Sequence, residues 1–189
     1  MIHLSTDEIF NGKSGPYDEE DLPEPLNYYA KSKHAGDNAC IAGCNYFSIL
    51  RISELFGPSE RGFYSKLNEA IGAMGNGDII PLSNGHYRTP AFTDDLGLAV
   101  QKIISRKIFG IMNIAGPDHL SYFEMGFMIS DILDYSLGYM KKINARDYDI
   151  NVSHPRICGL TNLKSEATLI MNFTNFENAL QIYRQRMKK

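Results

Sequence analysis

The chain opens Met1-Ile2-His3-Leu4-Ser5-Thr6-Asp7 and, after a polar stretch, continues Asn27-Tyr28-Tyr29-Ala30-Lys31-Ser32-Lys33. Residues 2–5 form a short apolar run that ends in a polar Ser-Thr-Asp cluster, as a buried strand does at its C-terminal end. Residues 11–27 are rich in Gly, Pro, Asp and Glu and read as a surface loop whose acidic run is a solvated edge. Residues 27–43 follow with helical spacing and good helix formers. Further along, 46–52 and 109–115 read as strands and 79–82 as a short extended segment. Helices are expected over 63–74, closed by Gly75-Asn76-Gly77-Asp78, over 93–105 and over 175–187. Another is expected over 121–133, opened by the capping-box pattern Ser121-Tyr122-Phe123-Glu124. Alternating strands and helices predict an α/β class with at least some parallel strands. The strands are too few for a complete doubly wound sheet with an appended substrate region.

Composition bounds the function. The 189 residues are 43% hydrophobic and 22% charged, values of an ordinary globular chain that suit one domain. A net charge of -3 lacks the basic footprint of a nucleic-acid-binding protein. No stretch reaches the roughly 18 apolar residues of a membrane span. The N-terminus carries no basic region followed by an apolar run, so the expected location is cytoplasmic, and the sequons at Asn151 and Asn172 read as chance matches. Cys40, Cys44 and Cys158 read as small buried thiols in a reducing compartment, with no metal site expected.

The chemistry sits in residues 27–33. On a helix, Tyr29 and Lys33 are four apart and share a face, whereas Tyr28 is out of register because Ser32 lies four residues on. A free phenol keeps its proton at pH 7, and a nearby ammonium draws its pKa down. A tyrosine tuned this way works as a general acid or base near neutrality. By itself the pair also describes an ordinary surface helix. Thr6, at a strand end where α/β folds place ligand sites, supplies a hydroxyl able to hydrogen-bond a substrate carbonyl.

The run Ser5-Thr6-Asp7-Glu8-Ile9-Phe10-Asn11-Gly12, Gly15-Pro16-Tyr17 and Glu20 through Lys33 resembles the extended short-chain dehydrogenase/reductase family. Within that family the likeness is to the dTDP-4-dehydrorhamnose reductases and the related regulatory β subunits of methionine adenosyltransferase. Later segments agree in order: Leu50-Arg51-Ile52-Ser53-Glu54-Leu55-Phe56-Gly57, Tyr87 through Leu96, Gly110 through Gly116 with Ser121 and Glu124, and His154-Pro155-Arg156 with Leu160 and Lys164. The resemblance covers nearly the whole chain. It implies a Rossmann-like fold and makes Thr6, Tyr29 and Lys33 the catalytic residues. Thr6 would bond the carbonyl, and Tyr29 would deliver a proton as hydride arrives at carbon. Lys33 would lower the tyrosine pKa and hold the nicotinamide ribose. Ile52 and Ser53, with Tyr29 and Lys33, would approach the cofactor, NADP or NAD. Asp7, Arg88 and Arg156 would contact substrate, the arginines through its phosphates. His154 reads as structural.

The sequence departs from the family at its start. The family opens with a strand, a G-x-x-G-x-x-G turn and a helix that binds the cofactor pyrophosphate; here Gly72, Gly75 and Gly77 read as a helix cap and turn instead. Glu8 stands where relatives usually carry an aromatic residue, and Asp37 where Glu is usual. The expected fold class is therefore a partial Rossmann-like sheet lacking its first βαβ units, with a small α/β substrate-binding region. Residues 1–62 form its Rossmann-like part and 63–189 mostly the substrate region. The expected function is NAD(P)H-dependent reduction of a 4-keto nucleotide-sugar, completed by an N-terminal part from elsewhere. The alternatives are a non-catalytic substrate-binding or regulatory module and an epimerase or dehydratase fragment. Expected partners are a nucleotide-sugar and either a second copy, since the 2–5 strand exposes a sheet edge, or a polypeptide supplying the N-terminal half.

Overall fold

The computed structural model describes residues 1–58, 65–149 and 151–187. Its centre is a three-stranded parallel sheet in the order β1–β2–β7: β1 Ile2–Thr6, β2 Ser48–Ile52 and β7 Gly110–Ile114. The register aligns Thr6 with Ile52 and Ile52 with Ile114, so all three C-terminal strand ends meet at one edge of the molecule. Helix α1, Tyr28–Gly43, makes the crossover between β1 and β2. It starts at Tyr28 because Asn27 caps it, the side-chain oxygen accepting from the Ala30 amide at 2.8 Å.

Between β2 and β7 lie β3 Leu55–Phe56, α2 Lys66–Asn76, β4 Ile80–Ser83, β5 Tyr87–Arg88, β6 Ala91–Phe92 and α3 Thr93–Arg106. After β7 come β8 Leu120–Ser121, α4 Tyr122–Leu133, β9 Met140–Ile143, α5 Ala145–Tyr148, α6 Leu163–Leu169 and α7 Phe176–Met187. Three two-stranded ladders pair β3 with β6, β4 with β9, and β5 with β8; only the last is antiparallel. Pattern reading misses most of these strands because a two-residue strand has no periodicity to show. β9 reads Met140-Lys141-Lys142-Ile143, with the lysines exposed and the apolar ends partly buried.

The sheet is packed by α3 and α6 through Leu50, Ile103, Met112, Ile114, Leu169 and Phe173. A larger cluster, with Phe56, Leu67, Met74, Phe92, Met125 and Phe176 at its centre, joins α2, α4 and α7. Two expected caps appear as read, whereas α3, expected to be capped at Thr93-Asp94-Asp95, starts after Phe92 with no side-chain cap. Gly77 sits at φ 81 after α2, and its amide bonds the Ala73 and Met74 carbonyls. Ser121 and Glu124 form a complete capping box on α4. The helix expected over 63–74 is α2, beginning at Lys66; the expected domain boundary at 62/63 lies outside the described residues.

Gly12 serves a different purpose. Its φ is 69, and a Cβ there would sit 2.4 Å from the Arg156 amide nitrogen. The loop after β1 therefore lies directly on residues 155–157, and backbone bonds from Gly15 N to Ile157 O and from Ile157 N to Gly12 O hold it there. This seam brings the C-terminal segment, with His154, to the end of β1.

Candidate active site

A cleft of about 380 Å³ opens at the C-terminal ends of β1 and β2. Thr6, Asp7, Glu8, Tyr29, Lys33, Ile52, Glu54 and Arg88 line it from the sheet side. Lys66, Tyr122, Tyr148 and His154 line it from the other. These last four also border a neighbouring cavity of about 280 Å³.

Thr6 ends β1 and caps the short turn that follows, its Oγ1 accepting from the Glu8 amide at 3.2 Å. The Tyr29 phenol, in the first turn of α1, lines the same cleft beside Thr6. Burial pushes the phenol pKa up from 10.0; the neighbouring Thr6 hydroxyl opposes this, and the charges of Glu8 and Asp7 add to it. The ammonium of Lys33 does not pull it down as the spacing predicts, because Lys33 Nζ donates to the Leu4 carbonyl on β1. Tyr29 therefore holds its proton firmly at neutral pH.

Beneath the cleft lies a network of buried charge. Asp7 is 2% exposed and accepts from Ser53 Oγ at 2.7 Å. Burial raises the Asp7 pKa against the pull of Arg88, whose Nε lies 3.6 Å away. Arg88 donates to the Tyr87 and Pro155 carbonyls at 2.8 and 2.9 Å and stacks 5.8 Å above the Tyr122 ring. Burial works against its charge, but its neighbours Tyr122, Asp7 and Glu8 raise its pKa overall. Burial likewise works against the Glu8 charge, yet His154 Nδ1 at 3.3 Å, Arg88 and Asn27 hold its carboxyl below the usual range. Glu54 carries a φ of 32, unusual for a residue with a Cβ, and its carboxyl accepts from Tyr122 Oη at 2.5 Å. Burial raises the Glu54 pKa.

Thr6, Asp7, Tyr29, Lys33, Ile52 and Arg88 thus come together, and two expected site residues fall elsewhere. Ser53 is fully buried, with its hydroxyl taken by Asp7 and by the Thr89 amide at 3.2 Å. Strand alternation turns it away from the cleft that its neighbour Ile52 lines. Arg156 lies outside the cleft, its Nε 3.5 Å from Asp149 and half its side chain exposed. The seam at Gly12 fixes the backbone of residue 156 and sends its side chain outward. Arg88 and Asp7 reach the cleft wall with their polar groups already committed to each other and to the backbone. Pattern reading missed Glu54, Lys66, Tyr122 and Tyr148. Glu54 and Tyr122 adjoin flagged positions, whereas Lys66 and Tyr148 carry no sequence signal.

Behind the second cavity, Ser83 Oγ lies 2.8 Å from His86 Nδ1, and His86 Nε2 lies 3.1 Å from Asp149 Oδ1. Burial lowers the His86 pKa from 6.5 to about 4, so the ring is neutral at pH 7 and links α5 to the β4–β5 turn. Among the described residues, no group of three or more His, Cys, Asp and Glu side chains is arranged to hold a metal ion.

The parallel sheet, the crossover helix carrying Tyr29 and Lys33, and the cleft at the strand ends define a Rossmann-like α/β protein with a cleft at the carboxyl edge of the sheet, where such folds place ligands. The chain belongs to the RmlD substrate binding domain family, matching it over residues 1–189. It is 25% identical over 188 residues to methionine adenosyltransferase 2 subunit beta of Danio rerio, covering 96% of this chain and 58% of that protein. It is 27% identical over 190 residues to dTDP-4-dehydrorhamnose reductase of Sinorhizobium fredii, covering 95% of this chain and 63% of the reductase. Its fold matches the dTDP-4-dehydrorhamnose reductase of Bacillus anthracis, solved in complex with NADP. The TM-score is 0.87 at 20% identity, over 98% of this chain and 65% of that one. The chain thus spans less than two thirds of the length of each of these proteins.

No helix among the described residues is long and apolar enough to cross a membrane.

Proposed function

We propose that the cleft is the carbonyl-handling site of a sugar-nucleotide reductase, acting on a 4-keto nucleotide-sugar of the dTDP-deoxyhexose type. The observation that carries this reading is the convergence of Thr6, at the end of β1, and the Tyr29 phenol on one cleft, with Lys33 one helical turn on. Two hydroxyls converging on one point are what a carbonyl oxygen needs: Thr6 polarises it and Tyr29 protonates it as charge develops. A phenol that retains its proton suits the donor half of that step. Lys33, tied only to a backbone carbonyl, is free to exchange that bond for a ribose hydroxyl.

A nicotinamide cofactor, NADP or NAD, would supply the hydride. Tyr29, Lys33 and Ile52 fit its nicotinamide-ribose end. The chain does not fit its pyrophosphate end, since the candidate glycines 75 and 77 close α2 at its C-terminus rather than opening a helix. On this reading residues 1–62 complete a cofactor-binding domain whose other strands lie beyond β1, and residues 63–189 mostly bind substrate. The anionic diphosphate of the substrate belongs toward Lys66, away from the carboxylates of Asp7, Glu8 and Glu54.

The decisive experiment joins the chain to a cofactor-binding segment, in cis or in trans, and follows NADPH consumption with a dTDP-4-keto-6-deoxyhexose. Turnover that Tyr29→Phe reduces by about 10²-fold or more, with folding intact, supports the reading; turnover indifferent to that substitution removes it. The matches to methionine adenosyltransferase β subunits favour a second reading, a regulatory module that uses the same cleft for binding alone. That reading predicts tight nucleotide-sugar binding by the native chain and no turnover in any pairing.

A further inference from the structure

Helix α1 carries the two residues the chemistry depends on, yet little apolar surface holds it down. Its buried residues are Ala30, Asp37 and Cys40. The middle one is a carboxylate, 1% exposed, in a position where most helices place an aliphatic side chain. A buried charge persists only where partners compensate it.

Those partners come from the sheet. Ser5 Oγ of β1 donates to Asp37 Oδ2 at 3.0 Å, and His3 Nε2 of the same strand lies 3.2 Å from Oδ1. Arg51 of β2, itself 4% exposed, brings its Nε to 3.9 Å. Arg51 is held in turn by the Glu19 carbonyl at 3.2 Å and by the Phe10 ring, 5.3 Å from its guanidinium carbon. The helix comes close enough here that a Cβ on Gly36 would sit 3.1 Å from the His3 ring.

Tyr29, Lys33 and Asp37 are spaced by four and share one face of the helix. Each meets β1 at its own point: the phenol at Thr6, the ammonium at the Leu4 carbonyl, the carboxylate at Ser5 and His3. Eight residues of helix put Asp37 about 12 Å from Tyr29 along the axis, so a tilt released at one end appears as a displacement at the other. The Lys33 contact is the one that the proposed chemistry breaks when the ammonium turns to a ribose. Asp37 alone of the three has no part in that chemistry.

We propose that Asp37 is the positioning residue of the site, fastening α1 to β1 and β2 so that the Tyr29 phenol stays within hydrogen-bond reach of the Thr6 hydroxyl. The inference rests on reading Tyr29 and Thr6 as the carbonyl-handling pair, but its test needs no turnover. In isotopically labelled chain, the nuclear Overhauser contact between the Tyr29 ring and the Thr6 methyl, assigned with Tyr29→Phe, reports their separation. The contact is expected in the native chain and in Asp37→Glu, which keeps the carboxylate. It should be lost in Asp37→Asn while contacts within the Phe56–Phe176 core persist. A merely stabilising role predicts a lower Tm for Asp37→Asn with the Tyr29–Thr6 contact unchanged. Should Asp37→Asn not fold, Ser5→Ala removes one bond to the carboxylate and leaves its charge pairing in place, and the contact should weaken several-fold. A contact of native strength in Asp37→Asn or Ser5→Ala, or its absence from the native chain, overturns the proposal. Failure of the turnover experiment above would refute the reductase reading and leave this geometric result standing.

Discussion

Replacing Arg88 by Met removes the buried cation beside Asp7 while keeping a side chain of similar reach. The guanidinium contributes hydrogen bonds to the Tyr87 and Pro155 carbonyls and lies 3.6 Å from a carboxylate that is itself 2% exposed. The Pro155 carbonyl, left without its donor, costs about 1–3 kcal/mol where water cannot reach it, while the Tyr87 carbonyl keeps its bond from the Cys158 amide. A buried carboxylate stripped of its cation brings the typical loss for breaking such a pair to about 3–5 kcal/mol. For a chain of this length that corresponds to a fall in Tm of roughly 10 °C.

The loss should depend on pH. The Asp7 pKa is already raised by burial in the native chain and rises further without Arg88. A carboxyl whose folded pKa lies above its unfolded value favours folding at low pH, and that contribution is lost as pH rises through the folded value. Asp7 in Arg88→Met should therefore take up a proton more readily as pH falls, so the penalty is smaller at pH 5 than at pH 8. Urea denaturation of native chain and variant at both pH values measures the difference. A penalty below about 1 kcal/mol at pH 8, or one that is the same at both, would refute the account of Arg88 as the compensating charge.

Other perturbations test separate parts of the structure. Lowering the pH from 7 to 4.5 should destabilise the chain through His86, whose folded pKa is lowered to about 4. A histidine of depressed pKa contributes stability that fades as pH falls below about 6.5, so the urea midpoint of His86→Gln should vary less over that interval. Gly12→Ala places a methyl 2.4 Å from the Arg156 amide at a φ of 69 and should cost more than about 1 kcal/mol, read as a shift in Tm. Met125→Ala opens a cavity in a fully buried site and should cost about 2–5 kcal/mol in chemical denaturation. Ser121→Ala breaks the capping box of α4 and should cost about 1 kcal/mol by the same measurement.

Local chemistry alone determined much of this molecule. An apolar run ending in Ser5-Thr6-Asp7, the helical spacing over 27–43, a glycine after α2 and the Ser121–Glu124 box each act within a few residues. The elements they predict stand at Ile2–Thr6, Tyr28–Gly43, Lys66–Asn76 and Tyr122–Leu133. The spacing of Tyr29 and Lys33 on one helical face was equally legible, since a helix imposes it. Tertiary structure decided what those side chains meet. Lys33 bonds a strand carbonyl, Ser53 and Arg88 are committed to Asp7, and Arg156 points away from the cleft because the Gly12 seam holds its backbone. The short ladders β3–β6 and β5–β8 and the buried Asp37 belong to the same category. Hydrogen-bond partners, burial and the pKa values that follow from them depend on residues distant in the chain, and periodicity carries no record of such neighbours.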